Sequence, residues 1–392
     1  MSFRTAASDD QSQASTPSTV TPDLTAFEQE LRRRKIFDAD AEEMLDEYPD
    51  NWKDILRILQ DDRASPEPGA TQHKGFRRRV INTGNEAAIM ASVCPKFLKE
   101  RWYDEPGVAW QHDQPWNKCV PLNPEMTPKL SPPKPDQAIG WTSKMFSQLN
   151  AGALFTVTSP SGWRKSRSFA APSENLVWPV FTVEGKGAAG QLRKARRQNM
   201  HNGSIMVNNL LELKKKAQAG KVPFGQAIAM SMELTAEVVQ LNCHWATLTK
   251  NEIHYWIRTC GSWSLHCPRL ATYQDSTRCI SNGVEWIRRT MYDEIMTDLS
   301  ALEELCCPPT IQTPPDSQLV HGHTNRLSLT QQSLSSKTSS ELEQVQVSGT
   351  AGQPKDTSNS RRRKKSSSMQ ENPREKVIDH KHQYLTPLTA LH

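Results

Sequence analysis

Between residues 23 and 61, apolar side chains recur at helical spacing: Leu24, Phe27, Leu31, Ile36, Met44, Leu45, Trp52, Ile55, Leu56 and Leu59. The pattern predicts two or three short helices, with Asp38 and Asp40 placed to cap one and Asp50 the next. Residues 63–74, punctuated by Pro66, Pro68 and Gly69, read as a linker. A broad apolar face formed by Ala88, Ile89, Ala91, Val93, Phe97 and Leu98 predicts a helix over 84–100. The proline-rich stretch 118–136 reads as extended loop, followed by a short strand over 136–141. Leu176, Val177, Trp178, Val180, Phe181 and Val183 make a near-continuous apolar run, the signature of a buried strand. A long helix follows over 188–218, with Gly203 as a point of bending. Three β-rich pieces lie at 238–248, 253–259 and 262–265. The closing amphipathic helix spans 284–305, with Val284, Ile287, Met291, Ile295, Leu299 and Leu302 on one face. This order of helix, strands, helix, strands and helix predicts an α/β (α+β) fold, a mixed central sheet flanked by helices.

Composition changes this picture only at the ends. Residues 1–22 and 308–392 have too few apolar side chains to offset the entropy of ordering, and both are expected to be disordered. The expected organisation is therefore a tail (1–22), a short helical segment (23–62), a linker (63–74), a folded body (75–307) and a basic, Ser-rich tail (308–392). The net charge of +5 permits an acidic partner without requiring one. No apolar run approaches the roughly 18–20 residues of a membrane helix, and the polar start carries no secretory pattern. Eight cysteines without a CxxC pair fit reduced, intracellular thiols. His244, His254, His266 and the cysteines around them lack zinc-knuckle spacing, and His244 and His254 fall in β-type runs and read as strand residues.

The residues with chemical potential are Lys134-Pro135-Asp136 and, downstream, Val183-Glu184-Gly185-Lys186. Strand alternation puts Glu184 and Lys186 on one face at the end of an otherwise apolar strand, about 7 Å apart. A carboxylate and an amine in that position must be paired, solvated or metal-bound. Carboxylates of this kind hold a hard cation such as Mg²⁺, and a neighbouring lysine can serve a water molecule attacking a phosphoryl centre. Taken alone, the spacing leaves two readings open, a metal site and a surface ion pair. Acid-x-Lys also occurs at Glu212-x-Lys214 and Asp379-x-Lys381.

These residues resemble the PD-(D/E)XK nuclease superfamily, of restriction-endonuclease-like fold. Within it, the chain resembles a group of fungal proteins with a nuclease-like domain, through the stretches PKPDQAIGW, LVWPVFTVEGKGAAGQLRKARRQNMHNG and HWATLTKNEIHYW. The likeness covers roughly residues 75–307. It implies a core of helix, three-strand meander, helix and further strand, and a nuclease dependent on Mg²⁺ or Mn²⁺. Asp136 then matches the first motif acid, and Glu184 and Lys186 the acid-x-Lys pair, with Asp136 and Glu184 as metal ligands. Glu86 matches the additional glutamate of the first core helix, with Glu100 as the alternative. Gln198 matches the glutamine often found on the helix after the third strand. Gln191, Lys194, Gln198 and Asn202 share one polar face of that helix.

The cluster Arg193, Lys194, Arg196 and Arg197 follows the motif directly, where it would meet a nucleic-acid backbone; its alternative reading is a solvated helix face. The expected partner is nucleic acid, DNA ahead of RNA, with no membrane. In the tail, Arg361, Arg362, Arg363, Lys364 and Lys365 among serines resemble a nuclear localisation signal, which places nuclear ahead of cytoplasmic location. Two functions are carried forward: a metal-dependent phosphodiesterase acting on nucleic acid, and a catalytically inactive relative serving as a nucleic-acid or protein interaction module.

Overall fold

The computed structural model of the chain describes residues 24–306, apart from 42–43, 45, 99–104, 127–129, 147–154, 158–165, 188–191, 219–221 and 223. Both terminal segments expected to be disordered, the basic cluster at 361–365, Gln191 and Glu100 lie outside the described residues.

The helices are α1 (Leu24–Arg33), α2 (Trp52–Gln60), α3 (Ala70–Ile81), α4 (Glu86–Ser92), α5 (Leu192–Ala217) and α6 (Leu270–Cys306). The strands are β1 (Ile36–Asp38), β2 (Val108–His112), β3 (Gln137–Trp141), β4 (Thr156–Val157), β5 (Arg167–Ser168), β6 (Val177–Gly185), β7 (Ala229–Leu234), β8 (Val238–Thr249) and β9 (Glu252–Ser264). Seven strands form one mixed sheet in the order β1-β9-β8-β7-β6-β3-β2, and β4 pairs with β5 apart from it. The chain thus runs from α4 through the antiparallel meander β2-β3-β6, crosses over through α5 and returns as β7, parallel to β6. The α+β class expected from the sequence is the one observed. Pro179 lies in β6 without a donor N–H, and pairing with β7 begins beyond it, at Phe181.

Four segments differ from the sequence reading. The N-terminal stretch is not a separate helical piece: Ile36–Asp38 is an edge strand, parallel to β9, with Ile36 opposite Tyr255. Among the described residues Asp38 and Asp40 cap no helix, and α2 starts after Asn51 rather than Asp50. The expected linker contains the start of α3, where the Gly69 N–H donates to the Gln72 side chain at 2.8 Å. Finally, α4 is only half the expected length, while α6 begins well before residue 284 because Tyr273, Cys279 and Ile280 are already buried.

The two faces of the central sheet differ in kind. Register places Phe181 beside Met230, Val183 beside Met232, and Met232 opposite Leu241. This apolar face is covered by α6, where Gly283 lies against Leu241, Met230 and Leu59 of α2. Burying each such aliphatic or aromatic side chain stabilises the fold by roughly 1.5–3 kcal/mol. The opposite face carries Thr182, Glu184, Ser231, Glu233, Asn242 and His244, all buried. It is covered by α5, whose Gly203 faces the His244 ring at a distance where any Cβ would overlap it.

Candidate functional site

The polar face of the sheet opens at the end of β6. Burial of the apolar run fixes this strand between β3 and β7, and strand alternation then puts Glu184 and Lys186 on the α5 side. The Lys186 backbone N–H is held by Leu234 O at 2.8 Å. Asp136 ends the proline-rich loop where β3 begins. Its Oδ2 accepts the Gly185 N–H at 2.6 Å, so the backbone of one motif orients the acid of the other. Glu86 opens α4, whose cap is the Asn85 side chain accepting the Ala88 N–H at 2.9 Å. The helix can come this close because Gly185 and Gly187 present no side chain: a Cβ on Gly187 would lie 2.8 Å from the Glu86 nitrogen.

The result is a cluster of three carboxylates around one amine. Lys186 Nζ stands 3.4 Å from Glu86 Oε1, 3.4 Å from Asp136 Oδ2 and 3.4 Å from Glu184 Oε2, and it also donates to Gly185 O at 2.5 Å. Lys186 and Glu184 are almost fully buried, whereas the Glu86 side chain is 46% exposed and faces the opening. Asn202 on α5 donates to Glu184 Oε1 at 2.7 Å and fixes its orientation.

Electrostatics follow from that geometry. Burial, reinforced by the charge of Asp136, pushes the Glu184 carboxyl up to about 8, against the pull of Lys186 and Asn202. Burial also raises Asp136 above the usual carboxylate range, and Glu86 adds to the rise. For Lys186, burial favours the neutral amine, but Glu184, Asp136 and Glu86 together outweigh it and hold the amine protonated. The donor set is all oxygen, three carboxyl groups around one amine, which fits a hard divalent cation. Among the described residues no three His, Cys, Asp or Glu side chains form a ready metal cage; the shared point of the three carboxylates is taken by the lysine amine.

Of the expected site residues, the structure brings Glu86, Asp136, Glu184 and Lys186 together. Gln198 is half-buried on α5, and its Oε1 is buried with no hydrogen-bond partner among the described residues. The basic cluster is divided. Arg193 and Lys194 are exposed. Arg196 is buried and binds Asp38 at 2.7 Å, Asp40 at 2.6 Å and Thr259 at 3.0 Å, along with Asn242. Arg197 is buried against Glu28. The expectation of a four-residue phosphate contact is therefore corrected to Arg193 and Lys194, because the other two guanidinium groups serve internal carboxylates.

The sequence reading placed Asn202 on a cleft-lining face but not on Glu184, and it missed Glu233. That glutamate is fully buried beside Glu184, accepts from Asn242 at 3.0 Å, and lies 3.7 Å from Arg196. Burial pushes its carboxyl up to about 7 despite the arginine. The signal for it was the alternation in Met230-Ser231-Met232-Glu233-Leu234, which is a strand with one polar face.

No curated protein matches the chain. Residues 86–299 match the family described as a domain of unknown function, DUF7924, a match that takes in Glu86, Asp136, Glu184, Lys186, all of α5 and most of α6, and the chain belongs to that family.

Proposed function

We propose that the chain is a metal-dependent phosphodiesterase acting on nucleic acid, in the manner of the PD-(D/E)XK nucleases it resembles. The observation that carries this reading is the meeting of Glu86, Asp136 and Glu184 around Lys186 at the open end of β6. The path from α4 through β2-β3-β6 and α5 to β7 supports it, since it is the core order that the resemblance implies.

Glu86, Asp136 and Glu184 would hold Mg²⁺ or Mn²⁺, which when bound screens phosphoryl charge and lowers the pKa of water. The chain's own groups prepare that chemistry. Asn202 and the Gly185 N–H aim the Glu184 and Asp136 carboxylates. Lys186, held protonated by its neighbours, is placed to hydrogen-bond the attacking water and to stabilise developing negative charge. Gln198 carries an unused acceptor on the same helix. Arg193 and Lys194 offer phosphate contacts at the start of α5.

The test is cleavage of DNA and RNA, single- and double-stranded, by the full chain with Mg²⁺, Mn²⁺ or EDTA. Cation-dependent cleavage that Glu184→Gln abolishes supports the reading; absence of cleavage on every substrate, or equal cleavage by Glu184→Gln, overturns it. The competing reading, a non-cleaving interaction module, draws on the internal use of Arg196 and Arg197. It expects wild type and Glu184→Gln to bind nucleic acid alike and neither to cut.

A further inference from the structure

A concave region lies on the α5 side of the proline-rich loop that ends at Asp136. It is a cavity of about 420 Å³ between the proline-rich loop and α5, within the roughly 300–1,000 Å³ of small-ligand pockets. Its walls are apolar, from Pro121, Leu122, Pro133, Leu130 and Ile205. Among the described residues its polar groups are His201, Asn123, Ser131 and two guanidinium groups, Arg167 and Arg34, the second already paired with Glu30 at 2.8 Å and donating to Leu122 O and Asn123 O. Such a lining suits a flat ligand with hydrogen-bonding edges and a negative charge.

His201 is the telling residue. It is 7% exposed, and among the described residues neither ring nitrogen has a hydrogen-bond partner; its ring meets only Phe27, edge-on at 6.4 Å. Burial, with the nearby Arg34 charge, lowers its pKa to about 4, so at neutral pH it offers one donor and one acceptor. A ligand edge seated in the cavity would engage both nitrogens.

Position ties the cavity to the proposed chemistry. His201 directly precedes Asn202, the residue on Glu184. Pro133 is three residues before Asp136, at most about 10 Å of extended chain. The Pro133 wall of the cavity therefore lies within about 10 Å of Asp136 along the chain.

We infer that this cavity is a nucleotide subsite, taking the nucleotide next to the scissile phosphate with its base edge on His201 and its phosphate toward Arg167. The inference rests on the phosphodiesterase reading and deepens it by giving the enzyme a means of choosing a base.

The test is calorimetric titration of the full chain in EDTA with each ribo- and deoxyribonucleoside 5′-monophosphate. The parent nucleosides and inorganic phosphate serve as separate arms. The expected result is a Kd at or below about 1 mM for at least one nucleotide, with its nucleoside and phosphate at least about tenfold weaker. His201→Phe keeps an aromatic ring against Phe27 and removes the ring nitrogens, so it should keep the melting temperature while weakening nucleotide binding at least about tenfold. Ser131→Trp, at the exposed lip, should block the cavity to the same extent without touching the core.

Unchanged binding in both variants overturns the subsite, and so does phosphate binding as tightly as any nucleotide. Nucleic-acid cleavage by a chain that binds no mononucleotide removes the subsite and leaves the phosphodiesterase. Nucleotide binding lost in His201→Phe, in a chain that cleaves nothing, keeps the subsite and removes the phosphodiesterase.

Discussion

Glu184 and Glu233 are direct partners in the parallel pairing of β6 with β7, so two buried carboxyls stand side by side on one face of the sheet. Each has its own cation, Lys186 at 3.4 Å for the first and Arg196 at 3.7 Å for the second. Asn199 and Asn202 on α5 reach the same strip, Asn199 through Met232 O and the Thr182 hydroxyl.

This pairing sets the pH dependence of stability. Both carboxyls are raised above their ordinary value of 4.5, to about 8 and about 7. Between those limits the folded chain keeps protons that the unfolded chain releases. Their contribution is therefore full below about pH 4.5 and is lost as pH rises through 7 and 8. Metal-free Glu184→Gln should melt higher than wild type at pH 8, by about 2–4 °C for roughly 1 kcal/mol, with a much smaller gain at pH 5.5. A lower melting temperature for Glu184→Gln at pH 8 would count against the strain assigned to this carboxyl.

Adding Mg²⁺ or Mn²⁺ at a hundredfold excess over its Kd should stabilise wild type by about 2.7 kcal/mol. The gain should shrink in Asp136→Asn and Glu184→Gln, each of which removes a carboxylate from the cluster. Thermal melts across a cation series read this directly, independently of cleavage.

Gly187→Ala should act through Glu86. The new Cβ would sit 2.8 Å from the Glu86 nitrogen and 2.9 Å from the Asn85 Cα, both backbone atoms, so α4 must shift. Overpacking of this kind destabilises by roughly 1–3 kcal/mol. Cleavage should fall about as far as in Glu86→Gln, and the double variant should lose little more than either alone. Additive losses would separate the glycine from the glutamate.

Arg196→Met should lower stability by about 3–5 kcal/mol in urea melts, because Glu233, Asp38 and Asp40 lose their shared cation. Arg193→Ala and Lys194→Ala should leave the melt unchanged and instead reduce the salt dependence of nucleic-acid binding, each by about one unit of slope.

Removal of residues 1–62 should cause more than the loss of a flexible appendage. It would open the edge of β9 that β1 covers and remove α2 from α6. Light scattering and thermal melts of a chain starting at residue 63 should show aggregation and a lower transition.

Residues whose role depends on close neighbours were legible in the sequence. The apolar run of β6 and the polarity at its end pointed to Glu184 and Lys186 as a pair, and the long helix after them is α5. Asp38 and Asp40 were not legible, since their partner Arg196 lies 158 and 156 residues away and a three-residue strand has no readable period. β9 was read as two pieces because Gly261 interrupts it; in the structure the sheet absorbs that interruption as a bulge opposite Leu241 and Asn242. Lys250 and Asn251, both at positive φ (51° and 66°), turn β8 into β9. The start of α6 was missed because its polar residues hide the buried Tyr273 and Cys279.

The unlike faces of the sheet divide two tasks between the helices that cover them. Apolar packing under α6 supplies cohesion, and a small slide there exchanges one contact for a similar one. Hydrogen bonds under α5 are directional, and a shift by one turn would strand Thr182, Glu184, Asn199, Asn202 and Arg196 together. The helix is in this sense indexed to the sheet: the directional network dictates one alignment, and with it the aim of Glu184.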